Sequence, residues 1–151
     1  MAGAVSSVSA RLVHNRISTV TCELHYTSYY SAMEYEHRSG CPIATTLDLV
    51  GDRWTLIIVR DMINGKSRFS EFLASPERIT TNVLADRLAK MERAGLISAS
   101  LYSRRPPRRQ YQLTDTGRSL LPVVQSMCRW ANAHFPDTWT PPADFMTLSG
   151  D

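Results

Sequence analysis

The sequence predicts a mainly α-helical fold with one small β-hairpin, and three observations support this prediction. Residues 67–94 contain two short amphipathic segments with a break at Pro76 between them, and the residue before a proline disfavours helical backbone. Residues 96–114 alternate between apolar and polar side chains on either side of two adjacent prolines, as in a hairpin. Arginines surround those prolines. Helix, turn, helix and basic hairpin in this order are the parts of a winged helix-turn-helix.

Capping residues and apolar periodicity predict the helices that precede the hairpin. Segment 42–49 is a short apolar helix followed by a glycine, and Asp52 is suited to cap the next helix. Ser67 is expected to begin a third helix and Thr80 a fourth. The fourth helix has one apolar face, formed by Leu84, Leu88 and Met91. Its remaining residues are therefore expected to face solvent or a ligand.

A wide apolar stripe marks the last expected helix, which begins after Thr114 and which Pro122 is expected to kink slightly. A stripe of this width on the terminal helix of a small domain needs a partner, and the simplest partner is a second subunit. The aromatic residues Trp54, Phe69, Phe72 and Trp130 are expected in the core, with an effector pocket at the dimer interface as the alternative. The predicted interface residues are Leu120, Val124, Met127 and Ala131.

Charge is unevenly distributed along the chain. The whole protein has 17 Lys+Arg against 14 Asp+Glu. Residues 66–111 contain ten basic and four acidic side chains, a net charge of +6, whereas the remainder carries −3. One basic segment in an otherwise acidic chain is typical of a nucleic-acid-binding protein.

The two ends of the chain differ in composition from the middle. Residues 1–40 are expected to be a disordered or partly helical leader, because their first 18 residues contain arginine and serine but no acid. Alternatively, translation starts at Met33. Residues 136–151 are rich in proline and lack a helical period, so a flexible tail is expected. A single domain is then expected over 41–135.

Several classes of protein are disfavoured by composition and motifs. The three cysteines, Cys22, Cys41 and Cys128, have no paired spacing, which argues against a disulfide framework and for a reducing cytoplasm. No apolar run approaches the roughly 18–20 residues that cross a membrane. Cys22 and His25 form one possible pair of metal ligands, but no second pair at zinc-like spacing accompanies them, and there is no glycine-rich phosphate loop. Neither a metal nor a cofactor is therefore expected.

The fourth helix and the hairpin tip are expected to contact double-stranded DNA. In the major groove asparagine pairs well with adenine and arginine with guanine, and an arginine-rich hairpin suits phosphate. The alternative is that the threonines only cap the helix and the arginines are only solvated. The candidate DNA-contacting residues are Arg68, Thr80, Thr81, Asn82, Ala85, Arg87, Lys90, Arg104, Arg105, Arg108 and Arg109.

Four segments in order resemble the HxlR-type family of bacterial winged-helix transcriptional regulators, relatives of the MarR regulators. They are residues 41–69, 69–75, 79–97 and 102–131, and together they span about residues 41–135. One departure is Gln110, where the family often has an acid before the tyrosine of the second hairpin strand. This departure makes the hairpin more basic.

The resemblance implies a homodimer built from the first and last helices, acting on a palindromic operator, most simply as a repressor. It also implies that the cysteine at the head of the first helix, Cys41, is a thiol sensor. Its expected position agrees, since a helix N-terminus lowers a thiol pKa. An inert cysteine remains the alternative, and the effector could be an oxidant or a small molecule.

Two other functions compete with DNA binding. A small thiol-dependent redox enzyme could use Cys41, but the sequence has no Cys-x-x-Cys pair and no Ser/His/Asp set. A winged helix can also bind protein, but such a module has little reason to keep four arginines in its hairpin. Neither alternative explains the basic segment.

Overall fold

The structure is a computed structural model and describes residues 40–149. The expected leader lies outside the described residues, except for its last position. The mainly helical fold with one antiparallel hairpin is confirmed. The elements are α1 Pro42–Val50, α2 Thr55–Ile63, α3 Phe69–Leu73, α4 Thr81–Arg93, β1 Ile97–Arg104, β2 Pro107–Leu113, α5 Asp115–Arg118, α6 Leu121–His134 and α7 Ala143–Thr147.

The core lies where α2, α4 and α6 meet the base of the hairpin. The apolar face expected on α4 is buried together with Phe72 of α3 and with Ile58 of α2. Trp54 and Phe69 are half-buried against this core, as expected, but Trp130 is 58% exposed. The placement of Trp130 in the core was therefore wrong, because its ring packs on His134 and Phe135 at the end of α6 and not against the core.

The hairpin is a two-stranded antiparallel ladder. Its register runs from Ile97 opposite Leu113 to Arg104 opposite Pro107, with an irregularity between Leu101 and Ser103. The segment before α3 extends it, because the Tyr111 N–H donates to the Ser67 carbonyl at 2.8 Å. The hairpin is thereby attached to the start of the helix-turn-helix and forms its wing.

The last expected helix is divided into two. Thr114 caps α5, its hydroxyl accepting from the Gly117 N–H at 3.1 Å and donating to the Gly95 carbonyl at 2.6 Å. The chain then turns, and Pro122 lies in the first turn of α6, where proline is favoured because the missing N–H needs no partner. The proline therefore begins a helix instead of kinking one.

The segment after residue 136 differs from the expected flexible tail. It contains α7, whose Phe145 side chain is buried in the core. The buried Gln125 of α6 donates to the carbonyls of Phe145 at 2.9 Å and Leu148 at 3.0 Å. The prolines and the short length of α7 gave no helical periodicity in the sequence. The segment is held instead by one buried aromatic side chain, Phe145, and by the Gln125 amide.

None of the helices in the described part of the chain has the length and apolar character needed to cross a membrane.

Candidate nucleic-acid interface

The start of α4 presents small polar side chains to solvent. Thr80 is the N-cap residue, but its side chain makes no capping hydrogen bond, and Thr81, Asn82 and Ala85 are also exposed. The first N–H groups of the helix therefore face outward with positive partial charge. An exposed helix start with hydroxyl and amide side chains is suited to phosphate and base edges.

Lys90 lies further along the exposed side of α4. Its ammonium is 2.9 Å from the Asp86 carboxylate one turn earlier. The hydrogen bond from Lys90 holds the pKa of Asp86 below its ordinary value. Both side chains are about half exposed, so the pair contributes little to stability, and Lys90 remains accessible to a phosphate.

Arg87 is not directed to solvent, contrary to its selection as a DNA contact. Its guanidinium is 2.9 Å from the Asp52 carboxylate. Partial burial disfavours the charged form of Asp52, but hydrogen bonds from the Thr55 hydroxyl and from the Trp54 and Thr55 N–H groups, together with the charge of Arg87, hold its pKa below the ordinary value. Arg87 therefore joins α4 to the cap of α2, as sequence spacing alone did not indicate.

The wing carries three exposed arginines at and beside its tip. Arg104, Arg105 and Arg108 form no salt bridge with a carboxylate anywhere in residues 40–149. Arg109 differs, because its guanidinium makes a bidentate pair with Glu92 at the end of α4, at 2.9 and 3.2 Å. The wing tip thus presents cations to solvent, while Arg109 connects the wing to α4.

Arg68 supports the wing from the side. Its guanidinium carbon lies 4.8 Å from the centre of the Tyr102 ring on β1, a cation–π geometry. The Arg68 and Ser67 N–H groups donate to the Glu71 carboxylate at 2.8 and 2.7 Å and hold the pKa of Glu71 below its ordinary value. Arg68 remains exposed, so stacking on the wing does not prevent contact with a phosphate.

A buried charge network, missed by the sequence analysis, fixes the turn before α4. The Asp61 side chain on α2 accepts from Arg60 at 2.7 Å, from Lys66 at 3.1 Å and from the Ser75 hydroxyl. Arg60 also binds Glu77 at 2.6 Å, and this hydrogen bond lowers the pKa of Glu77. The only available signal in the sequence was Asp61 itself, an acid within an otherwise apolar helical face.

The predicted dimer residues divide between the core and the surface. Val124 is only 6% exposed and packs in the core of its own subunit, so it presents little surface to a partner. Leu120 and Ala131 are half-buried. Met127 is 54% exposed and shares its face of α6 with the exposed Val123 and Trp130. Packing of α6 against α2 turned the solvent-facing stripe away from Val124.

Cys41 lies immediately before α1 and is exposed. Pro42 occupies the first turn of that helix, and the thiol makes no capping hydrogen bond to it. Cys128, in contrast, is half-buried on α6 against the core, as expected. Cys41 is therefore the accessible thiol of the two described.

Comparison with known proteins agrees with this geometry. Residues 49–138 match the HxlR-like helix-turn-helix family. The uncharacterised HTH-type transcriptional regulator YdeP of Bacillus subtilis (strain 168) is 39% identical over 105 residues, covering 70% of this chain and 80% of YdeP.

Two solved structures are also similar. The redox regulator HypR in its oxidised form superposes with a TM-score of 0.57 at 37% identity, covering 62% of this chain and 97% of HypR. The reduced form of the transcriptional regulator YodB from B. subtilis superposes with a TM-score of 0.54 at 27% identity, covering 67% of this chain and 100% of YodB.

The fold and these similarities define a transcriptional regulator with a helix-turn-helix DNA-binding domain, and not an enzyme. The chain belongs to the HxlR-like helix-turn-helix family.

Proposed function

We propose that this protein is a cytoplasmic repressor that binds a palindromic DNA operator as a homodimer. The observation that carries the proposal is the pairing of an exposed α4 start with a cationic wing. The wing is held to the helix-turn-helix by the hydrogen bond from the Tyr111 N–H to the Ser67 carbonyl and by the shared core, and Arg109 adds a bidentate contact to Glu92 at the end of α4. A helix in the major groove and a hairpin on the adjacent backbone must be held together in this way to engage one duplex.

The two surfaces have different tasks in this proposal. The exposed Thr80, Thr81, Asn82 and Ala85 enter the major groove, where the Asn82 amide can pair with the donor and acceptor of an adenine. Arg104, Arg105 and Arg108 lie against phosphates, with Arg68 and Lys90 beside them. Arg87 does not contact DNA in this proposal but positions α4, because its ion pair with Asp52 holds α4 against the cap of α2.

Two variants separate these tasks. Changing Arg104 and Arg105 together to alanine should weaken binding to all duplexes alike, and should flatten the plot of log affinity against log salt by about one per lost phosphate contact. Asn82→Ala should instead cost roughly 1–3 kcal/mol on a selected site and little on random DNA. Fluorescence anisotropy at several salt concentrations measures both effects, with the duplex first selected from random DNA by the wild-type protein.

Arg129→Ala is the matched control, because Arg129 is an exposed arginine on α6 and belongs to neither the wing nor α4. Its salt slope should equal that of the wild type. An unchanged slope for the wing variant would remove the wing from the interface. Equal loss by Asn82→Ala on selected and random duplexes would make Asn82 a backbone contact only.

Dimerisation is supported by the exposed apolar side chains of two helices. Val123, Met127 and Trp130 follow the helical spacing of one face on α6. On α1, Ile43 and Leu47 are one turn apart and are also exposed. Exposed apolar side chains grouped on one helical face favour an interaction site, and a second copy of the chain would supply the same surface in return.

Met127→Glu should convert the dimer into monomers, because the interface would then bury an unpaired carboxylate. Val124→Asp would be a poor test, since Val124 is in the core of the subunit. Arg129→Glu places the same side chain about 160° around the same helix and should leave the dimer intact. Sedimentation velocity gives the mass of each variant. A Met127→Glu protein that remains dimeric at micromolar concentration would place the interface elsewhere.

A thiol response is the second part of the proposal and rests on the exposure of Cys41 together with the similarity to HypR, which is described as a redox regulator. In the proposed reaction, the Cys41 thiol and a second thiol form a disulfide. The two thiols lose two protons and two electrons, which reduce an oxidant such as diamide to its hydrazine. A bridge or mixed disulfide next to α1 would change the dimer contacts and hence the spacing of the two α4 helices.

Cys41→Ser should therefore abolish the effect of diamide on DNA affinity. The wild-type protein should lose affinity for its selected duplex after diamide and regain it with dithiothreitol. Cys128→Ser is the matched control and should respond as the wild type does, because Cys128 is half-buried. If Cys41→Ser and the wild type respond alike, or neither responds, Cys41 has no sensing role.

A further inference from the structure

A cavity lies at the base of the wing, and we call it the wing-base cavity. It has a volume of about 460 Å³, which is within the roughly 300–1,000 Å³ typical of small-molecule sites. Its walls come from the end of α2, from β2, from α5 and α6, and from the segment after α7. Six of the residues that line it are Met62, Lys66, Tyr111, Leu113, Arg118 and Leu148.

The lining combines apolar surface with positive charge. Met62, Leu113 and Leu121 supply apolar side chains, and Tyr111 is half-buried among them. Burial raises the pKa of Tyr111, so its hydroxyl stays protonated and able to donate a hydrogen bond. Two cations line the cavity, Lys66 and Arg118, and no carboxylate from residues 40–149 does.

The two cations are not equivalent. The Lys66 ammonium binds Asp61 at 3.1 Å and Ser75 at 2.6 Å. Arg118 is exposed and makes no salt bridge within residues 40–149. Arg118 is therefore the cation available to an incoming anion, because the charge of Lys66 is already paired with Asp61.

The segment after α7 completes the cavity. Leu148 and Ser149 form part of its wall, and the hydrogen bonds from Gln125 hold this segment in place. The family match ends at residue 138, so this wall is built by a part of the chain beyond the shared domain. A ligand preference set by this wall would therefore depend on residues outside the matched domain.

We propose that the wing-base cavity binds a small amphipathic anion, with an aromatic or branched apolar body between Met62, Leu113 and Leu121 and a carboxylate on Arg118. Such a ligand would touch Tyr111 of the wing and Lys66, which holds the turn before α4 through Ser75. Binding would therefore shift the wing relative to α4. This effect on DNA rests on the proposed function, whereas binding itself does not.

Titration calorimetry on the full chain tests the binding. The probes are benzoate and 2-naphthoate, each compared with its neutral amide, which has nearly the same shape. At least one carboxylate should bind once per chain, about tenfold more tightly than its amide, a difference of about 1.4 kcal/mol. Arg118→Gln should remove this preference and leave amide binding unchanged. Arg129→Gln is the control and should behave as the wild type.

Each other outcome overturns a defined part of the inference. No heat from either carboxylate up to about 10 mM, a range that detects millimolar dissociation constants, would show that the cavity is not a site for this class of ligand. Loss of affinity in Met127→Glu but not in Arg118→Gln would place the probe on the exposed face of α6.

The effect of the ligand on DNA affinity is measured in a separate experiment. Ligand-free protein that binds no duplex would overturn the proposed function and leave the site standing. Unchanged DNA affinity with a saturated cavity would overturn the coupling alone.

Discussion

Gly117→Ala should destabilise the protein by about 3 kcal/mol, at the upper end of the cost of overpacking a core. A Cβ atom at this position would lie 2.0 Å from the Leu96 carbonyl oxygen and 3.0 Å from a Leu113 side-chain carbon. The first contact is with backbone, which cannot rotate away. Either α5 or the start of the wing must move, and the carbonyl of Leu96 also accepts from the Thr114 N–H.

Urea denaturation followed by circular dichroism measures this effect as a lower midpoint at unchanged slope. Gly40→Ala is the matched control, since a Cβ there meets nothing within 4 Å, and its stability should remain within about 0.5 kcal/mol of the wild type. A Gly117→Ala protein with the wild-type midpoint would mean that α5 can withdraw from the wing at no cost.

Asp61→Ala should cost about 3 kcal/mol, since removal of one partner from a buried ion pair is strongly unfavourable. Asp61 is 4% exposed, whereas its partners Arg60 and Lys66 retain 27% and 30% side-chain exposure. Those partners can recover part of their hydration, which keeps the expected cost at the lower end of the range for buried pairs. Asp137→Ala, at an exposed position, is the control and should be neutral.

A double-mutant cycle shows whether the cost comes from this ion pair. Lys66→Met removes the ammonium, and the free energies of unfolding of the two single variants and the double variant give the coupling between the two side chains. We expect a coupling of about 1–2 kcal/mol, within the range for residues in one network. Additive effects would instead assign the cost to the loss of packing around Asp61.

The order and the approximate ends of the elements could be predicted because they depend on local signals. Apolar residues three and four apart fixed the inner face of α4, and Pro76 fixed the break before it. The wing followed from alternation on either side of Pro106. Each signal acts within a few residues of the structure that it specifies, so no knowledge of the remaining chain was needed.

Long-range partners could not be predicted. Arg87 was identified as a DNA contact because it is an arginine on a recognition helix, but Asp52, 35 positions earlier, holds it in the structure. Val124 has the spacing of an interface residue, and only the packing of α6 against α2 shows that it faces inward. Helical periodicity shows which residues share a face, but not what covers that face.

The α7 segment is a second case in which long-range contacts decided the structure, here by ordering a segment that the sequence predicted to be flexible. Its prolines and short length gave no periodic signal, and the hydrogen bonds that hold it come from Gln125, about 20 residues away along the chain. A glutamine on a helix is ordinarily exposed. Its burial, paired with two backbone carbonyls, follows from the tertiary fold and has no counterpart in the local sequence.

The bidentate contact between Arg109 and Glu92 has a consequence for how the protein recruits DNA. A phosphate approaching Arg109 must compete with the Glu92 carboxylate that is already bound to it. Arg109 therefore neutralises the duplex less than a solvated arginine would, and fewer of the counterions condensed on the DNA are released. Counting the arginines of the wing therefore overestimates its contribution to the salt dependence. Glu92 would lower non-specific affinity more than specific affinity, because it weakens attraction to any polyanion and leaves the base contacts of α4 unchanged.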